Sequence, residues 1–283
     1  MQRFLTYIES RLGNIYSRNE IKSISHLLLK QLAGMNSVQI YTDKDTKFTD
    51  SMVNGLNTAV DRLANGEPIQ YILGTTEFFG LKFKVMPGVL IPRPETEELV
   101  ELILKEHKNQ HIKLLDIGTG SGCIAVTLAK NMLSAKVSAW DISEEAIQIA
   151  RENADLNKVD IDFSLRDILK FEEFEEMSDK WDVIVSNPPY VCESERTVME
   201  AHILDHEPYL ALFVKDDDPL IFYRHISLYA AKNLRKGGGL YFEINSHLGK
   251  KTLQTIQQNG FHAELFQDLS GRDRIIRAIL SFQ

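Results

Sequence analysis

The chain has 283 residues, of which 43% are hydrophobic and 25% are charged. This length and composition allow a sizeable buried core, which excludes a disordered, collagen-like or disulfide-scaffold protein. Two cysteines are too few for a disulfide framework and indicate a reducing compartment. The formal net charge of −8 argues against binding DNA through a broadly basic surface. No apolar run approaches the ~20 residues needed to span a bilayer, so no membrane association is expected.

Residues 1–72 are predicted to form a small helical domain. Apolar residues recur at helical spacing from Phe4 to Leu12 and from Ile24 to Leu32. Residues 49–51, Thr-Asp-Ser, offer an N-cap for a third such run, which ends at Leu63. Up to residue 70 the chain has eight Lys or Arg and seven Asp or Glu, so this segment is near neutral.

Residues 73–94 are predicted to link this domain to the rest of the chain. The segment from Phe78 to Val85 has Gly80 at its turn and alternates in its second arm, which predicts a β-hairpin. Leu90-Ile91-Pro92-Arg93-Pro94 follows, and its two prolines keep the backbone extended. Arg93 is therefore held in a fixed place, either near the mouth of an active site or in a salt bridge of the linker.

Strands and helices alternate in the remaining domain, residues 95–283. Helices are predicted at 95–107, near 122–131, 143–156 and 219–234, and in the tail before residue 261. The predicted strands cover residues 112–117, 136–141, 161–165, 181–186, 239–244, 261–266 and 274–280. Repeated strand–helix units imply an α/β fold, in which a mostly parallel sheet has helices on both faces. Only a short loop separates the last two strands, which indicates an antiparallel pair at one edge.

A glycine-rich loop, Asp116-Ile117-Gly118-Thr119-Gly120-Ser121-Gly122, ends the first strand of this sheet. Its spacing differs from the G-x-G-x-x-G fingerprint that places a pyrophosphate on a helix N-terminus. The carboxylate of Asp116 at the loop entrance suits a cationic ligand, and S-adenosylmethionine carries a sulfonium and an ammonium. A tight strand-to-helix turn without a ligand is the alternative.

Two further acids follow the next two strands. Asp141 ends the second strand, where a carboxylate can accept hydrogen bonds from both hydroxyls of a ribose. NAD would use such an acid as well, so Asp141 indicates a ligand with a ribose but does not distinguish S-adenosylmethionine from NAD. Asp167 follows the third strand and could accept from an adenine amino group or cap a helix.

The sharpest signal is Asn187-Pro188-Pro189-Tyr190, directly after the fourth strand. The side-chain oxygen of Asn187 and the carbonyl of Pro188 can each accept one hydrogen of an NH2 group. Pro189 keeps Pro188 out of the α region, which fixes the direction of that carbonyl, and Tyr190 can pack on a flat amide or base. Both hydrogen bonds strengthen as positive charge develops on the nitrogen, so the motif indicates methyl transfer to an amino or amide nitrogen.

Together these motifs resemble the class I S-adenosylmethionine-dependent methyltransferases that modify amino groups. Residues 66–74, Glu77-Phe78, residues 90–97 and Glu207-Pro208 also look like the release-factor glutamine methyltransferases, the HemK/PrmC family, and this resemblance covers nearly the whole chain. It implies a Rossmann-like class I methyltransferase fold with a mostly parallel seven-stranded sheet, preceded by a helical substrate-docking domain. It also implies methylation of the glutamine side-chain amide in the Gly-Gly-Gln motif of class 1 peptide chain release factors.

The motifs and the resemblance assign roles to two groups of residues. The predicted catalytic residues are Asn187, Pro188, Pro189 and Tyr190. The predicted S-adenosylmethionine-binding residues are Asp116, Gly118, Thr119, Gly120, Ser121, Gly122, Asp141, Ile142, Asp167, Ile168 and Asn187. The expected product is S-adenosylhomocysteine, and the expected enzyme is a cytoplasmic monomer that uses no metal and does not bind DNA directly. Arg166 stands where many family members have glycine. This difference concerns the predicted adenine contact and not the methyl-transfer reaction.

Three alternatives remain at this point. A glutamine methyltransferase that acts on a ribosomal protein would share every motif, because substrate choice lies in surface shape. An adenine or guanine amino methyltransferase would use Asn187 and Tyr190 on a flipped base, but the acidic balance and the near-neutral first domain argue against it. A non-catalytic protein that retains the fold is disfavoured by the intact glycine loop and the intact Asn-Pro-Pro-Tyr sequence.

Overall fold

The computed structural model describes residues 2–42, 46–174 and 180–281. The chain divides into two compact units. The first unit comprises Met1–Gly74 and Glu200–His206, and the second comprises Thr75–Met199 and Glu207–Gln283. In the described part of the chain, no helix combines the length and apolar character required to cross a membrane.

The helices and strands follow one another in a regular order. The α-helices are α1 Gln2–Leu12, α2 Arg18–Leu32, α3 Ser37–Thr42, α4 Asp50–Ala64, α5 Ile69–Leu73, α6 Pro94–His107, α7 Cys123–Asn131, α8 Glu144–Asn157, α9 Ala201–His206, α10 Tyr209–Leu212, α11 Ile221–Asn233 and α12 Gly249–Gln258. The strands are β1 Thr75–Phe78, β2 Leu81–Lys84, β3 Lys113–Ile117, β4 Lys136–Asp141, β5 Asp162–Leu165, β6 Trp181–Ser186, β7 Val191–Cys192, β8 Phe213–Val214, β9 Leu234–Glu243, β10 Phe261–Gln267 and β11 Asp273–Leu280.

The first unit is helical, as predicted. Helix α2 begins with a capping box, in which Glu20 donates its backbone N–H to the Ser17 hydroxyl and accepts the backbone N–H of Ser17. Helix α4 is capped by Thr49, whose hydroxyl accepts from the Met52 N–H. The apolar stripes of α1, α2 and α4 meet in one core, which contains Ile8, Leu12, Leu28, Leu29, Leu56, Val60 and Leu63.

The second unit is built on a seven-stranded sheet within the described residues. Its strand order is β10-β11-β9-β6-β3-β4-β5. Strands β9, β6, β3, β4 and β5 run parallel, while β11 is antiparallel to both β9 and β10. The mostly parallel sheet and the antiparallel edge pair confirm the predicted fold class.

Helices cover the sheet on both faces because its strands alternate their side chains between two cores. Leu114 and Val183 pack with α6, α7 and α8 in one core. The next residues along these strands, Leu115 and Ile184, pack with α11 and α12 in the other. Strands buried on both faces are nearly continuous apolar runs, which explains why β3 and β6 were evident from the sequence.

Strand β9 is longer than predicted. It begins at Leu234 and not at residue 239, since Leu234 pairs with Trp181 before a register shift that precedes the Val183–Gly239 pair. The additional residues include consecutive glycines, which have low strand propensity and hide the strand from pattern analysis. The hairpin matches its prediction: β1 and β2 are joined at Phe79 and Gly80, which both have positive φ.

The glycine loop packs directly against α8. Gly122 has φ +79°, and a Cβ at this position would lie 3.0 Å from the Ala150 Cβ and 3.2 Å from its Cα. Gly118 has φ +74° but open space around it, with no atom within 4 Å of such a Cβ. Both glycines have a left-handed backbone conformation, which favours glycine. Of this pair, only Gly122 also permits the close approach of helix α8.

We therefore expect Gly122→Ala to destabilise the second unit more than Gly118→Ala does. The left-handed backbone costs each alanine about 1–2 kcal/mol, and overpacking adds about 1–3 kcal/mol at residue 122. Urea unfolding followed by tryptophan fluorescence measures this, because Trp140 and Trp181 both lie in the second unit. Equal losses in the two variants would show that α8 accommodates the extra methyl group.

Candidate active site

The predicted functional motifs meet at the carboxyl edge of the parallel strands. Ile117, the last residue of β3, is opposite Trp140 on β4 and opposite Ser186 on β6. Ser186 is in turn opposite Phe242 on β9. This register brings the ends of four strands to one level, so the residues that follow them emerge side by side.

Hydrogen bonds to the last two residues of β4 hold the glycine loop in place. The N–H groups of Gly118 and Thr119 donate to the Trp140 carbonyl at 2.8 and 3.0 Å. The Gly120 N–H donates to Asp141 Oδ2 at 2.8 Å. These bonds are all made within the protein, and they fix the course of the loop backbone.

Asn153 on α8 supports the same loop from below, and sequence reasoning missed it. Its side-chain NH2 donates to the Ser121 carbonyl at 2.9 Å and to the Lys84 carbonyl at 3.0 Å. Its oxygen accepts the Lys84 N–H at 2.6 Å. One buried amide therefore ties the loop to strand β2. An asparagine within an amphipathic helix gives no sequence signal for such a role.

Asp116 is fully buried at the loop entrance. Its Oδ2 accepts from the Thr119 hydroxyl at 2.7 Å, whereas its Oδ1 has no hydrogen-bond partner among the described residues. Burial raises the pKa of Asp116 to about 7, although hydrogen bonds from the Thr119 hydroxyl and the Ala125 backbone N–H oppose this change. A half-satisfied buried carboxylate fits a cationic N–H donor, such as an amino-acid ammonium group.

Asp141 and Ile142 lie at the other end of the loop. Besides the Gly120 N–H, the Asp141 carboxylate accepts the Ser143 N–H at 2.9 Å. Each carboxylate oxygen has a further lone pair that could accept a sugar hydroxyl. Ile142 next to it is 60% exposed, so it presents apolar surface at the sheet edge. Burial raises the pKa of Asp141.

Asp167 is observed as a helix cap. Its Oδ1 accepts the Leu169 N–H at 3.0 Å, at the start of a 3-10 helix over Ile168–Glu173. The Ile168 side chain is buried in the core with Trp140. Arg166 lies over the rings of Trp140 and Phe174, at 4.7 and 4.9 Å from their centroids. An adenine contact by Asp167 and Ile168 therefore stays a prediction.

The Asn-Pro-Pro-Tyr segment lines a small cavity of about 40 Å³. Asn187, Pro188 and Tyr190 all contribute to its wall, while Pro189 does not. The remaining lining residues are Leu90, Arg93, Val191, Ala211 and Leu212. Both expected NH2 acceptors, the Asn187 side chain and the Pro188 residue, thus belong to one cavity.

Two buried residues behind this cavity were not recognised from the sequence. Thr96, in the first turn of α6, accepts a hydrogen bond from Asn187 Nδ2 at 3.2 Å. Thr96 donates its hydroxyl to Glu243 Oε2 at 2.6 Å, and the Tyr190 hydroxyl donates to Glu243 Oε1 at 3.0 Å. A glutamate at the end of the apolar strand β9 was the available signal, since a buried charge needs partners.

Comparison with known proteins identifies the family. Residues 93–211 match the Methyltransferase small domain, and residues 4–74 match the PrmC N-terminal domain. A release factor glutamine methyltransferase of Bacteroides thetaiotaomicron is 47% identical over 279 residues, which cover 98% of this chain and 99% of that protein. The corresponding protein of Flavobacterium psychrophilum is 43% identical over 282 residues, 98% of either chain. The chain belongs to the release factor glutamine methyltransferase family.

The fold of this family member also has a known structural counterpart. A 16S rRNA N2 G1207 methyltransferase of T. thermophilus, solved with AdoMet and guanosine, aligns with a TM-score of 0.54. The alignment covers 73% of this chain and 50% of that chain at 17% identity. At this identity the likeness shows a shared fold, and the family assignment rests on the full-length relatives.

Arg93 lies both at the cavity and in a salt bridge, so its observed position agrees with both of the alternatives that the sequence left open. It lines the cavity, and its Nη2 also donates to Glu207 Oε1 at 2.6 Å. The Glu207 side chain is almost completely buried, and its other oxygen accepts the Ile91 N–H at 3.4 Å. The extended Pro-Arg-Pro segment is therefore anchored to the Glu207-Pro208 segment, two stretches that the family resemblance had singled out separately.

Proposed function

We propose that this protein transfers a methyl group from S-adenosylmethionine to the side-chain amide nitrogen of glutamine in the Gly-Gly-Gln motif of class 1 peptide chain release factors. The observation that carries this proposal is the cavity that joins Asn187 and Pro188, at the same carboxyl edge of the sheet from which the glycine loop emerges. Such a cavity suits a small planar amide, and the names of the full-length relatives supply the protein that would present it.

The residues at the loop fit S-adenosylmethionine by their chemistry. When bound, this cofactor supplies an electrophilic methyl group on a positively charged sulfur. The free oxygen of Asp116 would accept from its ammonium, and Gly118, Thr119, Gly120, Ser121 and Gly122 would line its methionine part. Asp141 would accept from the ribose hydroxyls. Ile142, Asp167 and Ile168 would flank the adenine, and Asn187 would lie between the cofactor and the substrate.

The Asn-Pro-Pro-Tyr residues would orient the substrate amide. The Asn187 oxygen and the Pro188 carbonyl would each accept one N–H of the glutamine side chain, so the nitrogen lone pair points at the methyl group. Pro189 restricts the backbone of Pro188, and the Tyr190 ring packs beside the amide plane. Because charge grows on the nitrogen during transfer, both hydrogen bonds are stronger in the transition state than in the ground state.

The domain roles follow the same proposal. Residues 1–72 would dock the release factor, residues 73–94 would link the domains, and residues 95–283 would carry the reaction. Val38 and Tyr41 on α3 are strongly exposed apolar side chains, which supports a protein-binding role for the first unit. We further infer a monomeric cytoplasmic enzyme, and the net charge of −8 argues that it does not bind DNA directly.

A methyl-transfer assay with radiolabelled S-adenosylmethionine tests the substrate. It offers a release factor, the same factor with Gly-Gly-Gln changed to Gly-Gly-Ala, a ribosome preparation and duplex DNA in parallel. We expect label on the intact release factor and none on the Gly-Gly-Ala variant. Label on a ribosomal protein or on DNA would refute the release-factor assignment and leave the methyltransferase fold in place.

Substitutions at Asn187 and Asp141 should separate catalysis from cofactor binding. Asn187→Ala removes one of the two NH2 acceptors, so turnover should fall by about 100-fold or more while affinity for S-adenosylhomocysteine stays near that of the wild type. Asp141→Ala removes the ribose acceptor, so affinity should fall by about 10-fold or more. Calorimetry measures the affinities. Wild-type turnover in Asn187→Ala would exclude the amide-orienting mechanism.

Cofactor affinity should depend on the ionisation of Asp116. Its pKa is raised to about 7 by burial, so the carboxylate that attracts an ammonium group is lost as the pH falls below 7. Affinity for S-adenosylhomocysteine should therefore weaken by up to ~10-fold per pH unit below that value. Calorimetric titrations from about pH 8.5 down to about pH 6 measure this dependence.

The Asp116→Asn variant is the control for this dependence. It has a similar shape but no titratable group, so its affinity should be lower throughout and much less sensitive to pH. The pKa of Asp141 is also raised by burial, and its charge contributes to the raised pKa of Asp116. A variant that keeps the full wild-type slope would remove Asp116 from the ammonium site.

A further inference from the structure

The side chain of Asn187 can be placed in two ways that have almost the same shape. Its amide oxygen and nitrogen can exchange places by a rotation of about 180°. In one orientation the oxygen faces the substrate and accepts a hydrogen bond from its NH2 group. In the other, two NH2 groups face each other and no hydrogen bond forms. The orientation of Asn187 therefore decides whether the cavity can hold an amide nitrogen.

We propose that Thr96 and Glu243 are positioning residues that hold the Asn187 amide in its oxygen-outward orientation. This role rests on the proposed function of Asn187 as an NH2 acceptor, and it adds two residues of α6 and β9 that never touch the substrate. The three side chains form one directed chain of hydrogen bonds, from Asn187 Nδ2 to Thr96 Oγ1 at 3.2 Å and from Thr96 Oγ1 to Glu243 Oε2 at 2.6 Å.

The direction of this chain follows from a count of protons. Both oxygens of Glu243 accept hydroxyl donors, Thr96 on one and Tyr190 on the other, so the single hydroxyl proton of Thr96 is committed to Glu243. The Thr96 oxygen can then only accept from Asn187, which requires the NH2 group of Asn187 on that side. The Asn187 oxygen is left on the opposite side. Glu243 thus determines the orientation of a side chain that it does not contact.

The surroundings of Glu243 support this assignment. Tyr190 donates its hydroxyl to the second carboxylate oxygen at 3.0 Å, so both oxygens are occupied by donors. Glu243 and Thr96 are 1% and 2% exposed, respectively, so bulk water does not compete for these bonds. Burial raises the pKa of Glu243, while the hydrogen bonds from Thr96 and Tyr190 oppose this change.

Matched threonine variants test the proposal in the full-length protein. Thr96→Val keeps the shape but removes the hydroxyl, and we expect kcat/KM to fall by about 10-fold with unchanged affinity for S-adenosylhomocysteine. Thr96→Ser keeps the hydroxyl and should remain within about 2-fold of the wild type. Thr127→Val is the packing control, because Thr127 is equally buried and its hydroxyl has no partner among the described residues. Its kcat/KM should not change.

A spectroscopic measurement separates orientation from structural damage and needs no substrate. The side-chain NH2 signals of Asn187 in a ¹⁵N-labelled sample are identified by their absence in Asn187→Asp. Their exchange with water should be slow in the wild type and in Thr96→Ser, and about 10-fold or more faster in Thr96→Val. Unchanged exchange in Thr96→Val, or equal losses of kcat/KM in Thr96→Ser and Thr96→Val, would overturn the proposal.

These experiments distinguish a failure of the proposed substrate from a failure of the proposed role of Thr96 and Glu243. If the wild type labels an acceptor other than a release factor, kcat/KM of the variants is compared on that acceptor, since the chain of hydrogen bonds concerns any NH2 group. If the wild type labels no acceptor, the exchange rates still decide whether Thr96 orients Asn187. A failed substrate assignment therefore leaves this test intact.

Discussion

The alignment of four parallel strand ends is the constraint on which the rest of the structure depends. Ile117 lies opposite both Trp140 and Ser186, so the glycine loop, Asp141 and Asn187 emerge at the same edge. A change of pairing by one residue would move each of these side chains to the other face of the sheet. The apolar residues of β3 and β6, buried on both faces, make such a shift costly and so fix the site without any functional side chain taking part.

Two buried carboxylates at this edge, Glu243 and Asp116, differ in whether the protein itself supplies donors to both oxygens. Glu243 is surrounded by donors from the protein itself, with Thr96 on one oxygen and Tyr190 on the other. Asp116 has a protein donor on one oxygen, and its other oxygen has none among the described residues. Burying a carboxylate costs free energy unless its oxygens accept hydrogen bonds. Both oxygens of Glu243 have donors within the protein, whereas a cationic ligand would stabilise Asp116 by supplying a donor to its second oxygen.

The sequence predicted most of this architecture because periodic burial marks its strands. The observed bounds of β4 and β6 equal the predicted ones, and the sheet-edge motifs follow strands that were already evident. Helices α9 and α10 were missed, since neither is longer than six residues and neither completes two turns of an apolar stripe. Thr96 and Glu243 were missed for another reason. Their partners are 53 or more residues away in the sequence, and no local pattern shows a contact of that kind.

Asp141 combines a structural role in the glycine loop with its proposed role in ribose binding. Its carboxylate already accepts the N–H groups of Gly120 and Ser143, so it closes the glycine loop whether or not a ribose is present. A ribose hydroxyl would add a donor to the same two oxygens. Binding would then strengthen a group that also shapes the site for the methionine part of the cofactor. The two parts of the cofactor site are therefore coupled through one carboxylate, and loss of Asp141 would affect both at once.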